Sequence, residues 1–470
     1  MNNYQPGESE NLDYESRLTT LSLQSLPWGS SVSRVLSAAL LSVEPGAAVR
    51  RWMVRKGKTL HVGGNEYHLH RYQRVLIVGV GKAAVPMGTA AAKILGSSFS
   101  KGLLLTKEGY ARNLTGPNEL SGFIIMEAGH PIPDKRGMIG ARYISELLRG
   151  TGEDDLVICL VSGGGSALMT SPANGITLED LQATTSTLLA CGATINEINI
   201  LRKHLETLKG GALARLAAPA TLVTLILSDV VNDPLDVIAS GPCVPDPSTY
   251  ADATKVLEKY GISDQVPKSV MDRLNSGLSG EIPDTPKPGE HIFNRTRNVI
   301  VGSNRLAAEA ALNQAKKENF NSMLLTTSMQ GEASQVGRLF SSIAREIITS
   351  GNPLPRPACF IAGGETTVTI RGDGLGGRNQ ELALGTVDGL AGLAGTALVT
   401  LATDGGDGPT DAAGAVVTGE SFDRAQRLGL SPDAYLARND AYHFFESLGD
   451  LLKPGPTQTN VNDLALVFIK

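Results

Sequence analysis

Five apolar runs of similar length recur through the first half of the chain, and their spacing limits the fold more than any other feature. They are "YQRVLIVGV" (72–80), "KGLLLT" (101–106), "GFIIMEA" (122–128), "DLVICLVSG" (155–163) and "ATLVTLILSD" (220–229). Each is short and apolar with little alternation, the pattern of a strand covered on both faces. Helical patterns lie between most of them, among them "KAAVPMGTAAAKIL" and "TLEDLQATTSTLLACG", where Thr177 followed by Glu179 and Asp180 marks a helix start. Strands that alternate with helices predict a parallel, Rossmann-like sheet flanked by helices, an α/β fold. A helix is expected ahead of it over 30–53, with Val32, Val35, Leu36, Ala39 and Leu40 on its apolar face.

The texture changes over 264–290, which is rich in proline, glycine and serine. Beyond it come "RNVIVGS", a helix from Arg305 to about Asn319, "SMLLTT", a second helix to about Ser350, and "ACFIAGGETTVTI" as a strand. This predicts an N-terminal tail (1–29), an N-terminal Rossmann-like domain (30–263), a linker (264–290) and a C-terminal α/β domain (291–470). Two lobes imply a cleft, a common place for a ligand.

Net charge is −5 with no basic block, which argues against nucleic acid as a partner. A local basic pocket for a small anion is compatible with that balance. No apolar run approaches the ~20 residues of a membrane span. Glu8, Glu10, Asp13 and Glu15 precede the first basic residue, unlike a targeting presequence. Four scattered cysteines with no C-x-x-C suit reduced thiols, so the expectation is a cytoplasmic protein.

Chemistry gathers where apolar runs end. Gly79, Gly81 and Lys82 lie in "GVGKAA", which fits the dinucleotide fingerprint G-x-G-x-x-A but not the P-loop spacing. A plain strand-to-helix turn is the alternative; against it, a lysine at a strand's carboxyl end is a point charge suited to phosphate or carboxylate. Ser162, Gly163, Gly164, Gly165 and Ser166 follow another buried run, and successive glycines let several N–H groups converge on an anion. The stretch 195–211 carries Arg202, Lys203, His204 and Lys209, for which a solvated helix face is the default. His68 and His70 read as a surface edge strand. His130, between prolines in "AGHPIPD", either lines a site or pins a turn.

Carboxylates also follow apolar runs: Asp229, then Asp404 and Asp407 with Asp411 behind. Such acids suit Mg²⁺, which takes one or two carboxylates plus phosphate oxygens, and one of them can accept a hydroxyl proton. Asp-Gly turn chemistry is the alternative. In "GGETTVTIRGDGLGGRNQE", Gly376 and Gly377 precede Arg378 and Asn379, a guanidinium fork held in a loose backbone. Two glycine loops, two cations and strand-end acids suit phosphoryl transfer, which needs positioned charge more than a covalent nucleophile.

At these residues the chain resembles the type II glycerate 2-kinases, with their MOFRL C-terminal region. The resemblance is carried by "GVGKAAVPMG", "GHPIPD", "VSGGGSALM", "INEINILRKHLETLKGGALA", "LSDVVNDPLDVIASGP", "GGETTVTIRGDGLGGRNQELAL", "TDGGDGPTDAAGA" and "TNVNDL", in order from about residue 70 onward. It implies ATP- and Mg²⁺-dependent phosphorylation of D-glycerate to 2-phosphoglycerate, with nucleotide and glycerate held between the domains. It places Lys82, Arg378 and Asp229 at the active site, and Ser162 to Ser166 as a substrate or phosphate cradle. Asp404 and Asp407 as Mg²⁺ ligands extend this from chemistry. A homodimer is left open. The chain departs from the family where Asn232 replaces the glycine after "SDVV", and where Pro454 and Gln458 replace a threonine and a glycine. The rival readings are an NAD(P)-dependent hydroxypyruvate reductase, with Glu108 as the late acid of the fingerprint, and a non-catalytic sensor of glycerate or nucleotide.

Overall fold

The computed structural model describes residues 13–111 and 121–470, and the chain divides into two compact units. One runs Ala48–Val301; the other joins the segment through Ala47 to Gly302–Lys470.

The first unit opens with a three-stranded antiparallel sheet, β1 (Met53–Lys56), β2 (Thr59–Val62) and β3 (Asn65–His68). Its main sheet contains β4 (Arg74–Val80), β5 (Lys101–Lys107), β6 (Phe123–Ala128), β7 (Asp155–Val161), β8 (Thr221–Leu227) and β9 (Thr296–Gly302), in the order β6-β5-β4-β7-β8-β9. The pairings from β6 through β8 are all parallel. Every residue of β7 and β8 is buried, as unalternating apolar runs require. Helices such as Lys135–Leu148 cover the sheet, with Ala141, Ile144 and Leu148 packed among Leu76, Val78 and Leu105. From β4 the chain winds outward through β5 and β6, then returns to lay β7 on the other side of β4. The strand order therefore reverses between β4 and β7, the place where open α/β sheets bind ligands. The register sets Leu105, Val80, Val161 and Ile226 in one row, so the loops after them share one edge.

The second unit has a mixed six-stranded sheet of β10 (Asn321–Met329), β11 (Ala358–Gly364), β12 (Thr396–Ala402), β13 (Gly414–Thr418), β14 (Leu451–Leu452) and β15 (Asp463–Ile469). The order is β10-β11-β15-β12-β13-β14. β10 and β11 are parallel; β15 runs antiparallel between β11 and β12. The register aligns Gly364, Asp463 and Ala402 in one row, which gathers the acids that follow β11 and β12 around the start of β15.

Three expectations about organisation are corrected. The helix expected over 30–53 breaks at Pro45 into Gly29–Ser42 and Pro45–Trp52, and the first piece belongs to the second unit. Its apolar face is fully buried there, Trp28 packs edge-on to Phe320 at 6.1 Å, and Arg34 pairs with Glu318 at 2.7 Å. Each such apolar side chain contributes roughly 1.5–3 kcal/mol on burial; periodicity shows that a face is buried, not against what. The stretch 264–290 is no free linker. Helix Lys268–Leu278 buries Val270 and Leu274 in a cluster with Leu201, Leu205, Tyr250 and Leu257. Third, "RNVIVGS" supplies β9 to the first unit's sheet, so the boundary falls after Val301 rather than at 290.

Candidate functional site

Two loops interlock at the strand-order reversal. Lys82 N–H donates to Gly163 O (2.9 Å), Ser162 N–H to Val80 O (3.0 Å), and Ala83 N–H to Ser162 Oγ (3.0 Å). This approach requires Gly81, which sits at φ +122°: a Cβ there would lie 2.3 Å from Ser162 Oγ. It equally requires Gly163, whose Cβ would lie 2.3 Å from Asp229 Oδ2. Asp229, half-buried just beyond β8, therefore lies against the serine-glycine loop. The His130 imidazole packs on Gly164, where a Cβ would meet its Cδ2 at 2.9 Å and its Nε2 at 3.1 Å. The sequence-expected Lys82, Ser162, Gly163, Gly164 and Asp229 thus come together, and His130 joins them.

The charge balance here is positive. The Lys82 ammonium has no ion pair among the described residues, nor has that of half-buried Lys107, at the end of β5, which lies 5.5 Å from the Tyr110 ring centroid. His130 feels both lysines. Burial first, then the Lys82 and Lys107 charges, push its pKa down to about 4, so it is neutral at pH 7. Lys107 escaped the sequence reading because it lies one residue beyond the run 101–106, which reads only as a strand.

Behind the loop is a buried polar brace. Ser166 Oγ meets Ser240 Oγ at 2.9 Å, and Ser240 donates to Asn199 Oδ1 at 3.0 Å. Lys209, fully buried, donates to Ser166 O at 2.6 Å and pairs with Glu206, whose other oxygen takes the Ser171 N–H. Lys203 is bound between Asp236 (3.3 Å) and Asp246 (3.2 Å). The imidazole of His204 is held by Ile200 O and Asp284, edge-on to Tyr250. The solvated basic face expected over 195–211 is therefore corrected: Lys203, His204 and Lys209 face inward onto acids or carbonyls, while burial lowers the pKa of Arg202 and only the Glu206 charge opposes it. His204 is structural. His68 ends β3 with Thr59 Oγ1 at 3.2 Å.

In the second unit Arg378 opens the helix Arg378–Leu384. Its Nε lies 2.5 Å from Asp463 Oδ2, Nη2 3.3 Å from Asp463 Oδ1 and Nη1 2.8 Å from Glu365 Oε1. Burial alone would lower its pKa, but the bonds to Asp463 and the charges of Asp463, Glu365 and Asp407 hold it up. Burial raises the carboxyl pKa values of Glu365 and Asp463, and Asp404 adds to both. Asp463 and Glu365 were missed; only the strand register reveals them as the partners of the arginine. "TTVTI", expected as a strand, contributes a single bridge at Thr367. β11 ends at Gly364 and leaves the loop irregular up to the helix.

Asp407 does not fit the expected metal role. Its buried carboxylate accepts the Asn379 N–H (3.2 Å), Asn379 Nδ2 (3.3 Å) and the Gln380 N–H (2.9 Å), so it caps the helix that bears Arg378. Gly377 lets it in, since a Cβ there would lie 2.3 Å from the Asp407 Cγ. Burial pushes its pKa up to about 6. Asp404 is half-buried and accepts the Gly406 N–H at 3.2 Å. Among the described residues no three His, Cys, Asp or Glu side chains form a ready-made metal cage.

Both family departures at glycine positions fall on left-handed backbone, Asn232 at φ +68° and Gln458 at φ +62°. Among the described residues no single helix is long and apolar enough to cross a membrane.

Comparison with known proteins shows the family and the fold. Residues 31–275 match the family described as "domain of unknown function (DUF4147)", and residues 358–463 match the MOFRL family. The chain is 45% identical to the D-glycerate 2-kinase of Thermotoga maritima over 84% of its own length and 91% of that protein. It superimposes with a TM-score of 0.82 on a crystal structure of the T. maritima glycerate kinase, 41% identical, covering 93% of this chain and 98% of that one. A relative in Agrobacterium vitis, 39% identical over 93% of each, is provisionally named a hydroxypyruvate reductase.

Proposed function

The chain belongs to the glycerate 2-kinase family and is a phosphotransferase acting on glycerate; within that activity, we propose that it moves the γ-phosphoryl group of ATP to the 2-hydroxyl of D-glycerate through the residues gathered at the strand-order reversal. The observation that carries this reading is the pair of interlocked loops, which bring Lys82, without an ion pair among the described residues, into one loop cluster with Asp229. The hydroxyl oxygen forms the new bond to phosphorus, the bond from phosphorus to ADP breaks, and the hydroxyl proton passes to Asp229. Lys82 faces the charge that spreads over the transferred oxygens. The Ser162–Ser166 loop supplies a rigid floor, since its hydroxyls and carbonyls are tied to Ala83, Ser240 and Lys209.

Arg378 acts as a paired cation. Its fork is bound to Asp463 and Glu365, so its part is to hold those acids in place and to set the charge of their surroundings. Glu365 and Asp463 hold the guanidinium and the Asp404 charge acts on both acids, so negative charge gathers there, as a divalent cation would need. Asp404 is the side chain that would hold Mg²⁺, which when bound would neutralise phosphate charge. Asp407 supports the helix instead. The four cysteines are unpaired thiols, which supports work in the reducing cytoplasm.

The reductase reading loses its acid: Glu108 is an exposed partner of Arg136 at 3.0 Å, and Lys107 takes the strand end. The test is ADP release with ATP, Mg²⁺ and D-glycerate, with ³¹P NMR assigning the product's phosphorylated carbon. A parallel sample follows NADH with hydroxypyruvate. Phosphate on the 2-position and a silent NADH sample are expected. NADH consumption without ADP release would overturn the reading. Asp229→Asn should cut turnover while the protein still binds nucleotide; full turnover would remove Asp229 from the chemistry.

A further inference from the structure

We propose that Lys107 and His130 form the seat for the carboxylate of the acceptor acid, apart from the phosphoryl-facing Lys82. The inference rests on the kinase reading above and adds two residues to it. Three observations converge.

The first is position. Lys107 is the last residue of β5, Lys82 lies in the turn after β4, and these neighbouring strands are parallel. The two ammonium groups therefore rise from the same edge of the sheet, and both act electrically on the His130 ring. The second is partnership. The ring of His130 lies on the Cα of Gly164, and neither lysine forms an ion pair among the described residues. Two cations without an ion pair among the described residues, both acting on one half-buried imidazole, favour an anion between them. The third is protonation state. Burial first, and then the same two cations, keep the imidazole neutral, so it adds a directed N–H without adding a third charge. Among the described residues, other titratable groups near it are Asp134, on its own loop and engaged as the cap of the helix Lys135–Leu148, and Asp229, across Gly163.

The acceptor carries one permanent charge, its carboxylate, next to the hydroxyl that reacts. A site that binds this molecule must distinguish the charged end from the phosphoryl entering at the neighbouring carbon. One cation per anion meets that need: Lys107 with the His130 N–H for the carboxylate, Lys82 for the phosphoryl. A charged hydrogen bond lost from such a seat costs about one to two orders of magnitude in affinity.

The test uses the full-length protein and steady-state kinetics with each substrate varied in turn. Lys107→Ala and His130→Gln should each raise KM for D-glycerate about 10- to 100-fold and leave KM for ATP within about twofold. Lys107→Arg should recover most of the loss. The preference for D-glycerate over glycerol, which lacks the carboxylate, should shrink by the same factor in Lys107→Ala. Thermal melts show whether each variant is folded, and D-glycerate-induced melting shifts report binding without turnover. If wild-type protein phosphorylates D-glycerate but Lys107→Ala keeps its KM for the acid, the seat is refuted. If the variant's ATP KM rises instead, the pair serves the nucleotide and the assignment is wrong. A wild-type protein inactive on D-glycerate would overturn the kinase reading itself, a result separate from either.

Discussion

At the end of β4 a lysine stands in a glycine turn with no carboxylate paired to it among the described residues; beyond β11 an arginine follows a glycine loop and is held by two carboxylates. Both are cations at strand ends flanked by glycine, and the sequence presents them as equivalents. The glycines do different work. Gly81 and Gly163 bring backbone to backbone so that side chains can face an incoming group, whereas Gly377 admits the carboxylate of Asp407 to a helix N-terminus. One region leaves its charge available to a ligand, and the other spends it on internal order.

That contrast separates activity from stability. Lys82→Ala should lower kcat by about 10²–10³ with little change in melting temperature, because no buried partner is orphaned. Arg378→Ala should also lose activity, yet it strands Asp463, whose side chain is 2% exposed. Removing one member of a buried ion pair costs about 3–5 kcal/mol. Urea unfolding of the two variants side by side measures the difference. Equal stability would break the comparison.

A second substitution sharpens it. Asp463→Asn placed in the Arg378→Ala background removes the orphaned charge, so part of the lost stability should return, by roughly 1–3 kcal/mol. Activity should not return, since neither the guanidinium nor the acid is restored. Recovered turnover in the double variant would mean that Arg378 serves only to neutralise Asp463.

The two regions also differ in the sign of their response to acid. His130 has its pKa pushed down to about 4 from an ordinary value near 6.5. Its neutral burial stabilises the fold above about pH 6.5, and that contribution is lost as pH falls toward 4, because the unfolded chain binds the proton first. Asp407 has its pKa pushed up to about 6. Its contribution is full below the ordinary carboxylate pKa and is lost as pH rises through about 6. The two slopes oppose each other between about pH 4 and 6.5. His130→Gln should make stability in that window rise toward acid relative to the wild type, and Asp407→Asn should make it fall more steeply. Urea midpoints at half-unit pH steps would show this; slopes of the same sign for both variants would contradict it.

Much of this was legible in the chain, and the remainder has physical reasons for being hidden. The unalternating apolar runs predicted buried parallel strands, and the residues just past their ends, Lys82, Ser162 and Asp229, do meet. They meet because parallel strands in register deliver their carboxyl ends to one edge. The acids around Arg378 could not be read the same way. Asp463 begins an antiparallel strand, so it reaches that edge from 85 positions away by a pairing that local pattern does not encode. Basic residues 203 and 209 looked solvated because sequence shows charge but not the buried Asp236, Asp246 and Glu206 that cancel it. The helix Gly29–Ser42 is legible in the sequence but its unit is not, since an apolar face does not name its partner.

The smallest effect concerns the two glycine replacements, which fall one in each region. A side chain at left-handed backbone costs about 1 kcal/mol or more for an ordinary residue, and asparagine tolerates that conformation best. Gln458 is exposed at φ +62° and has no such tolerance. Glycine would remove the strain but restore freedom to the unfolded chain, at a cost of about 0.5–1 kcal/mol. Gln458→Gly should therefore stabilise by a few tenths of a kcal/mol, up to about 1. Asn232→Gly, at φ +68° in the loop after Asp229, should be neutral or slightly destabilising, because asparagine loses little there and its existing interactions go with it. Denaturant midpoints resolve the ordering. If Asn232→Gly stabilises more than Gln458→Gly, asparagine's tolerance of left-handed backbone does not hold in the loop beyond β8, where Asp233, Ala239 and Ser240 also have positive φ.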